Sequence, residues 1–429
     1  MKGARWEFGK ENCCNAKQLR QALKRARAAP LDLEINCRGS YSIAMGDKAK
    51  EMVAMVAGER LSQWRSLAFA VEDNWDLSNA FSGSLEGLTF LRLHSFHPDL
   101  HNCLCKTARN LRNVEIYVHN EPLTKLANAP WWKRVRRLLL DVPFHRIGSI
   151  NVAGSRTIQC RAAMDILSKA IELEDLTIQF QIYHDVPVTT PIHFPRLKKL
   201  VLRNTVELLP GIFAPLLTHL EIQSGGRSDG TTLGPGSIFL PAVTHLSVFS
   251  SVPAVLASFY CPSLVELCLS ADVSGYSQKW NNDLMVTGAW SSDNDIEKHL
   301  KPSVLRIEKM LLTWTVLRDL LRFSLRDCLR ELSLIDSPLP KSFFNALTVV
   351  TPSGVICRDL EKLSVIHRSD IYKKVRAMSR DEGKMILQDI LTLRKEQNMG
   401  LRRVIAQWRW PRVSRVEYGD DLETTMETA

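Results

Sequence analysis

The chain of 429 residues lacks the short motifs of two large groups of enzymes. It contains neither the G-x-x-x-x-G-K-[ST] loop that cradles nucleotide phosphates nor the H-E-x-x-H motif of zinc peptidases. The glycine cluster between residues 225 and 236 lacks the spacing of a dinucleotide-binding loop and precedes no predicted helix. The eleven histidines are scattered rather than clustered. We therefore expect a non-enzymatic protein without a cofactor.

Cysteine pairs at metal-site spacing are also missing. Most of the ten cysteines stand singly in apolar stretches, where a free thiol packs as a small buried hydrophobe. Cys103 and Cys105 form a C-x-C pair, but no second ligand pair follows at the spacing of a zinc site. These features predict free thiols, no structural metal and a reducing compartment, the cytoplasm or the nucleus.

Long apolar segments without interruption are absent as well. The start of the chain, MKGARWEFGKENCC, contains no apolar run of the length that a secretory signal has. Residues 230–265 carry no Asp, Glu, Lys or Arg, but the four prolines within them would break a spanning helix. We therefore expect no membrane-spanning segment.

What the sequence does contain is a recurring L-x-x-L-x-L core, often introduced by proline. FPRLKKLVL at 194–202 returns as APLLTHLEI at 214–222, LPAVTHLSV at 240–248 and CPSLVELCL at 261–269. The first residues of the eleven clear cores are Trp64, Leu88, Leu111, Val135, Leu173, Leu197, Leu217, Val243, Leu264, Leu329 and Leu360. A weaker twelfth core is SVLRIEK, where Leu305 and Ile307 match the last two apolar positions.

Most of the spacings between cores are in the range of leucine-rich repeats, roughly 20–29 residues. The end of each core alternates apolar and polar residues, the pattern of a strand with one buried face. We therefore predict an α/β fold of irregular leucine-rich-repeat type, a solenoid with a curved parallel sheet and with helices and loops on its convex side.

Three regions follow from the distribution of the cores. Residues 1–60 are predicted to form an N-terminal cap of helix and strand, residues 61–370 the solenoid, and residues 371–429 a C-terminal helical cap with a short acidic tail. Amphipathic helices are predicted at 46–60, 160–172 and 381–397. The segments 223–238 and 270–300 break the rhythm and are interpreted as surface loops, some of which bind partners in repeat proteins.

Alternate positions of the strands are expected to form an exposed concave face. Twelve residues of this face are candidate partner-binding residues: Phe90, Arg92, Glu115, Tyr117, Arg137, Asp175, Gln179, Lys199, Arg203, Glu221, Phe249 and Glu266. Both signs of charge occur with occasional aromatic residues, whereas a phosphate-binding surface is expected to be more uniformly basic. The pattern favours a protein or peptide partner.

Two basic clusters, at 2–27 and 131–137, leave an alternative open. In WWKRVRR, tryptophans adjacent to arginines could stack on bases while the arginines neutralise phosphates. The other interpretation is that Trp131 and Trp132 pack inside a repeat and the arginines face solvent. The formal net charge of +10 is modest for this length, so the nucleic-acid interpretation is the less favoured one.

The proline-led cores resemble those of fungal-type F-box/leucine-rich-repeat proteins. KQLRQALKRARAAPLDLEIN at 17–36 and RLSQWRSLAF at 60–69 add to the resemblance, because a helix, a P-L-x-L-x-I strand and a W-R-x-L strand commonly follow the F-box in that family. The resemblance covers about residues 17–405 and implies substrate recognition for a ubiquitin ligase. It departs at the F-box itself, since the first sixteen residues contain no L-P-x-E-I/L opening. A Skp-type adaptor is therefore expected as a partner only if an upstream segment supplies that motif.

Overall fold

The structure is a computed structural model of the whole chain. It describes residues 20–21, 23–25, 29–36, 51, 54–55, 61–70, 81–94, 98–117, 123–142, 153–180, 191–224, 238–250, 256, 258–270, 300–309, 321, 325, 328–337, 357, 359–367, 380–396, 401, 403–410, 412–418 and 425–428. The chain divides into two compact units, Met1–Pro215 and Leu216–Ala429.

The first unit contains a parallel sheet of seven strands in the order β1-β2-β3-β4-β5-β6-β8. These strands are β1 (Leu31–Asn36), β2 (Trp64–Ala70), β3 (Phe90–Leu93), β4 (Asn113–Tyr117), β5 (Arg137–Val142), β6 (Asp175–Phe180) and β8 (Lys199–Arg203). A separate two-stranded pair joins β7 (Ile192–His193) to β9 (Ile212–Phe213). This unit also contains the α-helices α1 (Pro98–Thr107), α2 (Thr124–Ala127) and α3 (Ala153–Lys169).

The second unit also contains seven parallel strands, in the order β10-β12-β14-β15-β16-β17-β18. They are β10 (His219–Ser224), β12 (His245–Ser250), β14 (Glu266–Ser270), β15 (Val304–Glu308), β16 (Glu331–Ile335), β17 (Lys362–His367) and β18 (Arg403–Trp410). Two antiparallel strands, β19 (Arg412–Tyr418) and β20 (Thr425–Thr428), extend this sheet. A short pair joins β11 (Ile238–Phe239) to β13 (Phe259–Tyr260), and α4 spans Arg380–Glu396.

All twelve predicted cores end in a parallel strand, which confirms the α/β class with long parallel sheets. The alternation works as predicted, because the last two apolar residues of each core form two buried rows. In the first unit one row runs Leu67, Leu91, Val114, Leu138, Leu176 and Leu200, each 3% exposed or less. In the second unit the corresponding row runs Leu220, Leu246, Leu267, Leu305, Leu332, Leu363 and Val404.

The prolines that introduce several cores occupy a recurrent turn. The N–H of Leu197 donates to the Phe194 carbonyl, and Leu264 donates in the same way to Cys261. Each bond closes a four-residue turn whose second residue is proline, the position that a fixed φ near −65° favours. Proline therefore sets the turn that leads the chain into the next strand.

The predicted helices agree only in part with the structure. The helix predicted at 160–172 overlaps α3, which begins earlier, at Ala153, and ends earlier, at Lys169. The helix predicted at 381–397 corresponds to α4. Most of the helix predicted at 46–60 lies outside the described residues. No helix in the described part of the chain is long and apolar enough to cross a membrane.

Strands occur in both predicted cap regions. β1 lies in the predicted N-terminal cap, and it pairs in parallel with β2. β18 pairs in parallel with β17, so the parallel sheet of the second unit extends past residue 370. The predicted acidic tail contains β20, which pairs with β19 in antiparallel orientation. The region after 371 is thus not purely helical.

Candidate protein-binding face

The face of each parallel sheet opposite the buried rows carries polar side chains, and we call it the polar face. All twelve candidate residues lie on it, and none of them is buried. Nine belong to the first unit, namely Phe90, Arg92, Glu115, Tyr117, Arg137, Asp175, Gln179, Lys199 and Arg203. Glu221, Phe249 and Glu266 belong to the second unit. Their role in binding remains a prediction.

A cluster on β3 and β4 is the most connected part of the polar face in the first unit. Arg92 Nε donates to Glu115 Oε2 at 2.5 Å, and the Tyr117 hydroxyl donates to the same oxygen at 3.3 Å. The ring of His94 stacks on that of Tyr117 with centroids 4.5 Å apart. The Arg92 guanidinium carbon lies 5.7 Å from the centre of the Phe90 ring. These contacts hold the five side chains in one arrangement.

The electrostatics of the cluster follow from those contacts. The hydrogen bond to Glu115 raises the pKa of Arg92. Burial raises the pKa of Tyr117, and the negative charge of Glu115 raises it further. Arg92 therefore stays charged and Tyr117 stays protonated at neutral pH. The cluster combines a cation, a hydroxyl group and aromatic rings on one surface.

Next to this cluster, charges of opposite sign alternate across three neighbouring strands. Arg137 pairs in register with Asp175, and Asp175 pairs with Lys199. On the same strands Arg203 donates to the Gln179 side chain at 3.2 Å. Because neighbouring strands lie about 4.8 Å apart, the three charged groups form a row of alternating charge.

In the second unit, two histidines stack on the polar face. The rings of His219 and His245 are 4.3 Å apart and almost parallel, at 4°. Nδ1 of each ring lies 2.8 Å from the hydroxyl oxygen of the preceding threonine, Thr218 or Thr244. Nε2 of His245 is 3.7 Å from a carboxylate oxygen of Glu266. The repeated T-H-L string at 218–220 and 244–246 places these rings side by side because the strands pair in register.

Two ion pairs lie further along the same face. Arg306 Nε donates to Glu308 at 2.5 Å, and Lys362 Nζ donates to Glu331 at 2.7 Å. Arg306 and Glu308 were not among the candidate residues, because they fall in the wide gap between the clear cores at 264 and 329. The alternation of SVLRIEK was the signal that could have identified them.

The polar face also contains apolar positions that sequence reasoning missed. Leu139 lies in register between Glu115 and Thr177, and Val201 is 4% exposed beside Thr177. Cys268 occupies such a position on β14, and burial raises the pKa of its thiol to about 12. Alternation predicts which way a side chain points and does not predict whether its neighbours cover it.

The tryptophans of the 131–137 cluster are interior residues. Trp131 is 2% exposed and Trp132 is fully buried, with its indole N–H donating to the Leu126 carbonyl at 2.7 Å. The adjacent Arg134 and Arg136 are exposed. The packing interpretation of WWKRVRR is therefore confirmed, and these rings are unavailable for stacking on bases.

Several sequence predictions concern residues outside the described ranges. These are most of the basic cluster at 2–27 and nearly all of the two loops at 223–238 and 270–300. The first loop includes GRSDG at 226–230, which has the G-x-S-x-G spacing of a hydrolase nucleophile elbow.

Among the described residues, no group of three or more His, Cys, Asp or Glu side chains is arranged to hold a metal ion. Cys103 donates to the Gly83 carbonyl, and Cys105 lies 3.3 Å from His101 Nε2. No protein-family model matches the chain, and a comparison with curated proteins finds no significant match.

Proposed function

We propose that the protein is a non-enzymatic interaction scaffold of the leucine-rich-repeat type, whose polar face binds a protein partner. The observation that carries the proposal is the two-sided character of the parallel sheets. One side supplies continuous buried rows, while the other presents the Arg92–Glu115–Tyr117 cluster and the alternating Arg137–Asp175–Lys199 row. Side chains already held by hydrogen bonds lose less entropy when a partner binds.

The mixture of charges favours a protein partner. Nucleic acid binds chiefly through phosphate neutralisation, which favours a surface of uniformly positive charge. On the polar face, by contrast, Glu115 lies beside Arg92, and Asp175 lies between Arg137 and Lys199. A protein surface with complementary charges of both signs fits this pattern better.

The proposed context is substrate recognition for a ubiquitin ligase in the cytoplasm or the nucleus. This part of the proposal rests on the resemblance of the repeat cores to F-box/leucine-rich-repeat proteins and of KQLRQALKRARAAPLDLEIN to the segment that follows their F-box. The curved solenoid shape belongs to the same proposal. The proposal includes a Skp-type adaptor as a partner only where an L-P-x-E-I/L segment accompanies the repeats. Direct binding of the purified chain to that adaptor would contradict this account.

Site-specific photo-cross-linking tests the binding face. A photoreactive amino acid placed at Thr177 in the first unit, or at Ser247 in the second, reports what touches the polar face. Asn102 on α1 and Asp165 on α3 are exposed helix positions that serve as matched controls. We expect the polar-face positions to yield a shared cross-linked protein that the helix positions do not yield. Equal cross-linking from helix and polar-face positions would refute the proposed face.

A further inference from the structure

One repeat position, the residue that precedes each strand, forms a second surface along the amino-terminal ends of the strands in the first unit. The residue that precedes each strand accepts, through its backbone carbonyl, two N–H groups from the next repeat. The Arg112 carbonyl binds the N–H groups of Arg136 and Arg137 at 2.8 and 3.1 Å, and the Arg136 carbonyl binds those of Glu174 and Asp175 in the same way. The fold therefore relies on the backbone carbonyl of this position, which every residue type supplies.

In the first unit this position and the adjoining turns are rich in arginine. We call the set Arg109, Arg112, Arg134, Arg136 and Lys198 the basic edge. Its members are linked, since Arg112 Nη1 donates to the Arg134 carbonyl at 3.0 Å and Arg134 Nη1 donates to the Arg109 carbonyl at 3.1 Å. A carbonyl acceptor fixes a guanidinium without neutralising its charge, and a guanidinium has five N–H donors. The basic edge thus presents oriented positive groups.

The basic edge is only partly neutralised by a carboxylate within it. Glu174 lies between Arg136 and Lys198, at 3.7 and 3.8 Å from their nitrogens. The side chains of Arg136 and Lys198 remain 51% and 63% exposed. The five cations outnumber Glu174 and the turn residues Glu86 and Glu172, so the strip keeps a net positive charge.

The second unit shows that the fold does not require these cations. At the same position its residues are Thr218, Thr244, Val265, Ser303, Arg330 and Glu361. Their carbonyls accept hydrogen bonds from the next repeat in the same way. For example, the Thr244 carbonyl accepts the N–H groups of Val265 and Glu266, each at 2.9 Å. Arg330 lies 3.8 Å from Glu361 and is the single cation at this position in the described part of the second unit. The arginines of the first unit are therefore not explained by folding alone.

We propose that the basic edge binds an acidic segment of a protein partner, rich in Asp and Glu. The oriented guanidinium groups can bind carboxylates in pairs of hydrogen bonds. Nucleic acid is the less suitable occupant, because Trp131 and Trp132 are buried and offer no stacking surface. This surface is distinct from the polar face and does not depend on the function proposed for it.

Fluorescence anisotropy with the full chain tests the inference directly. The probe is a fluorescein-labelled peptide of alternating Glu and Ser, and a thymidine oligonucleotide of about the same charge is the comparison. The test variant carries Arg112→Gln, Arg134→Gln and Arg136→Gln, and the matched control is Arg330→Gln at the same repeat position of the second unit. Because the substitutions leave the backbone carbonyls in place, circular dichroism should show all variants folded.

We expect the triple variant to bind the acidic peptide at least about tenfold more weakly, and Arg330→Gln to bind like the wild type. Wild-type affinity should fall as salt rises, since the contacts are between exposed charges. Three results would overturn the proposal: no binding by the wild type at low salt, equal losses in both variants, or tighter binding of the oligonucleotide than of the peptide.

Discussion

Arg92 and Glu115 are joined across two strands by a hydrogen bond of 2.5 Å, although both side chains remain partly exposed. Exposed ion pairs contribute little to folding, about 0.2–1 kcal/mol. We therefore expect a double-mutant cycle with Arg92→Ala and Glu115→Ala to give a coupling energy for unfolding within that range. Urea denaturation of the four proteins measures it. A coupling energy of several kcal/mol would show that the main role of the pair is to stabilise the fold and not to form part of a binding surface.

The raised pKa of Tyr117 predicts a loss of stability in alkali. Its ordinary value is 10.0, and burial together with Glu115 raises it in the folded protein. Above pH 10 the unfolded chain therefore loses the phenolic proton first, so the free energy of unfolding falls as pH rises through this range. Tyr117→Phe should remove that part of the fall while keeping the ring that stacks on His94. Denaturant unfolding of both proteins between pH 8 and pH 11 provides the comparison, and identical curves would contradict the prediction.

Trp132 should be one of the most costly residues to truncate in the first unit. It is fully buried, and its indole N–H is bonded to the Leu126 carbonyl. Trp132→Ala should lower the free energy of unfolding by about 3–5 kcal/mol, because it leaves a cavity and an unsatisfied carbonyl. Exposed Lys133→Ala is the neighbouring control and should change stability by less than about 0.5 kcal/mol. If Trp132→Ala also lowered the free energy of unfolding by less than about 0.5 kcal/mol, the burial of Trp132 would be contradicted.

The thiols of Cys261 and Cys268 should resist alkylation in the folded protein. Burial raises the pKa of each to about 12, so the reactive thiolate is scarce at neutral pH. Iodoacetamide treatment followed by peptide mass spectrometry should find both unmodified in the native protein and modified after denaturation. Rapid native labelling of either residue would contradict the packing of the second unit.

The repeat pattern predicted the strands well because the core of each strand is a local feature. Two apolar residues separated by one position must face the same side, so even the weak copy at Leu305 and Ile307 yielded a strand. β18 was missed for a related reason. Its core begins with Leu401 and Val404 but has Ala406 at the third apolar position, which weakens the pattern.

The candidate site was predictable in position but not in its contacts. Alternation placed Arg92, Glu115 and Tyr117 on one face, yet their shared hydrogen bonds depend on the register between β3 and β4. The basic edge was harder to find. Its members come from several repeats, and a stretch such as WWKRVRR looks short and isolated until the strands are aligned.

The measurement that most directly tests the polar face is the affinity for the protein recovered by cross-linking, compared between two charge reversals. Asp175→Lys puts a cation between Arg137 and Lys199, so that three cations stand in a row, whereas Asp165→Lys makes the same change on exposed α3. We predict at least a tenfold loss of affinity for Asp175→Lys, about 1.4 kcal/mol, and none for Asp165→Lys, by titration calorimetry. Unchanged affinity of a folded Asp175→Lys protein, or an equal loss in both variants, would contradict the assignment of this face.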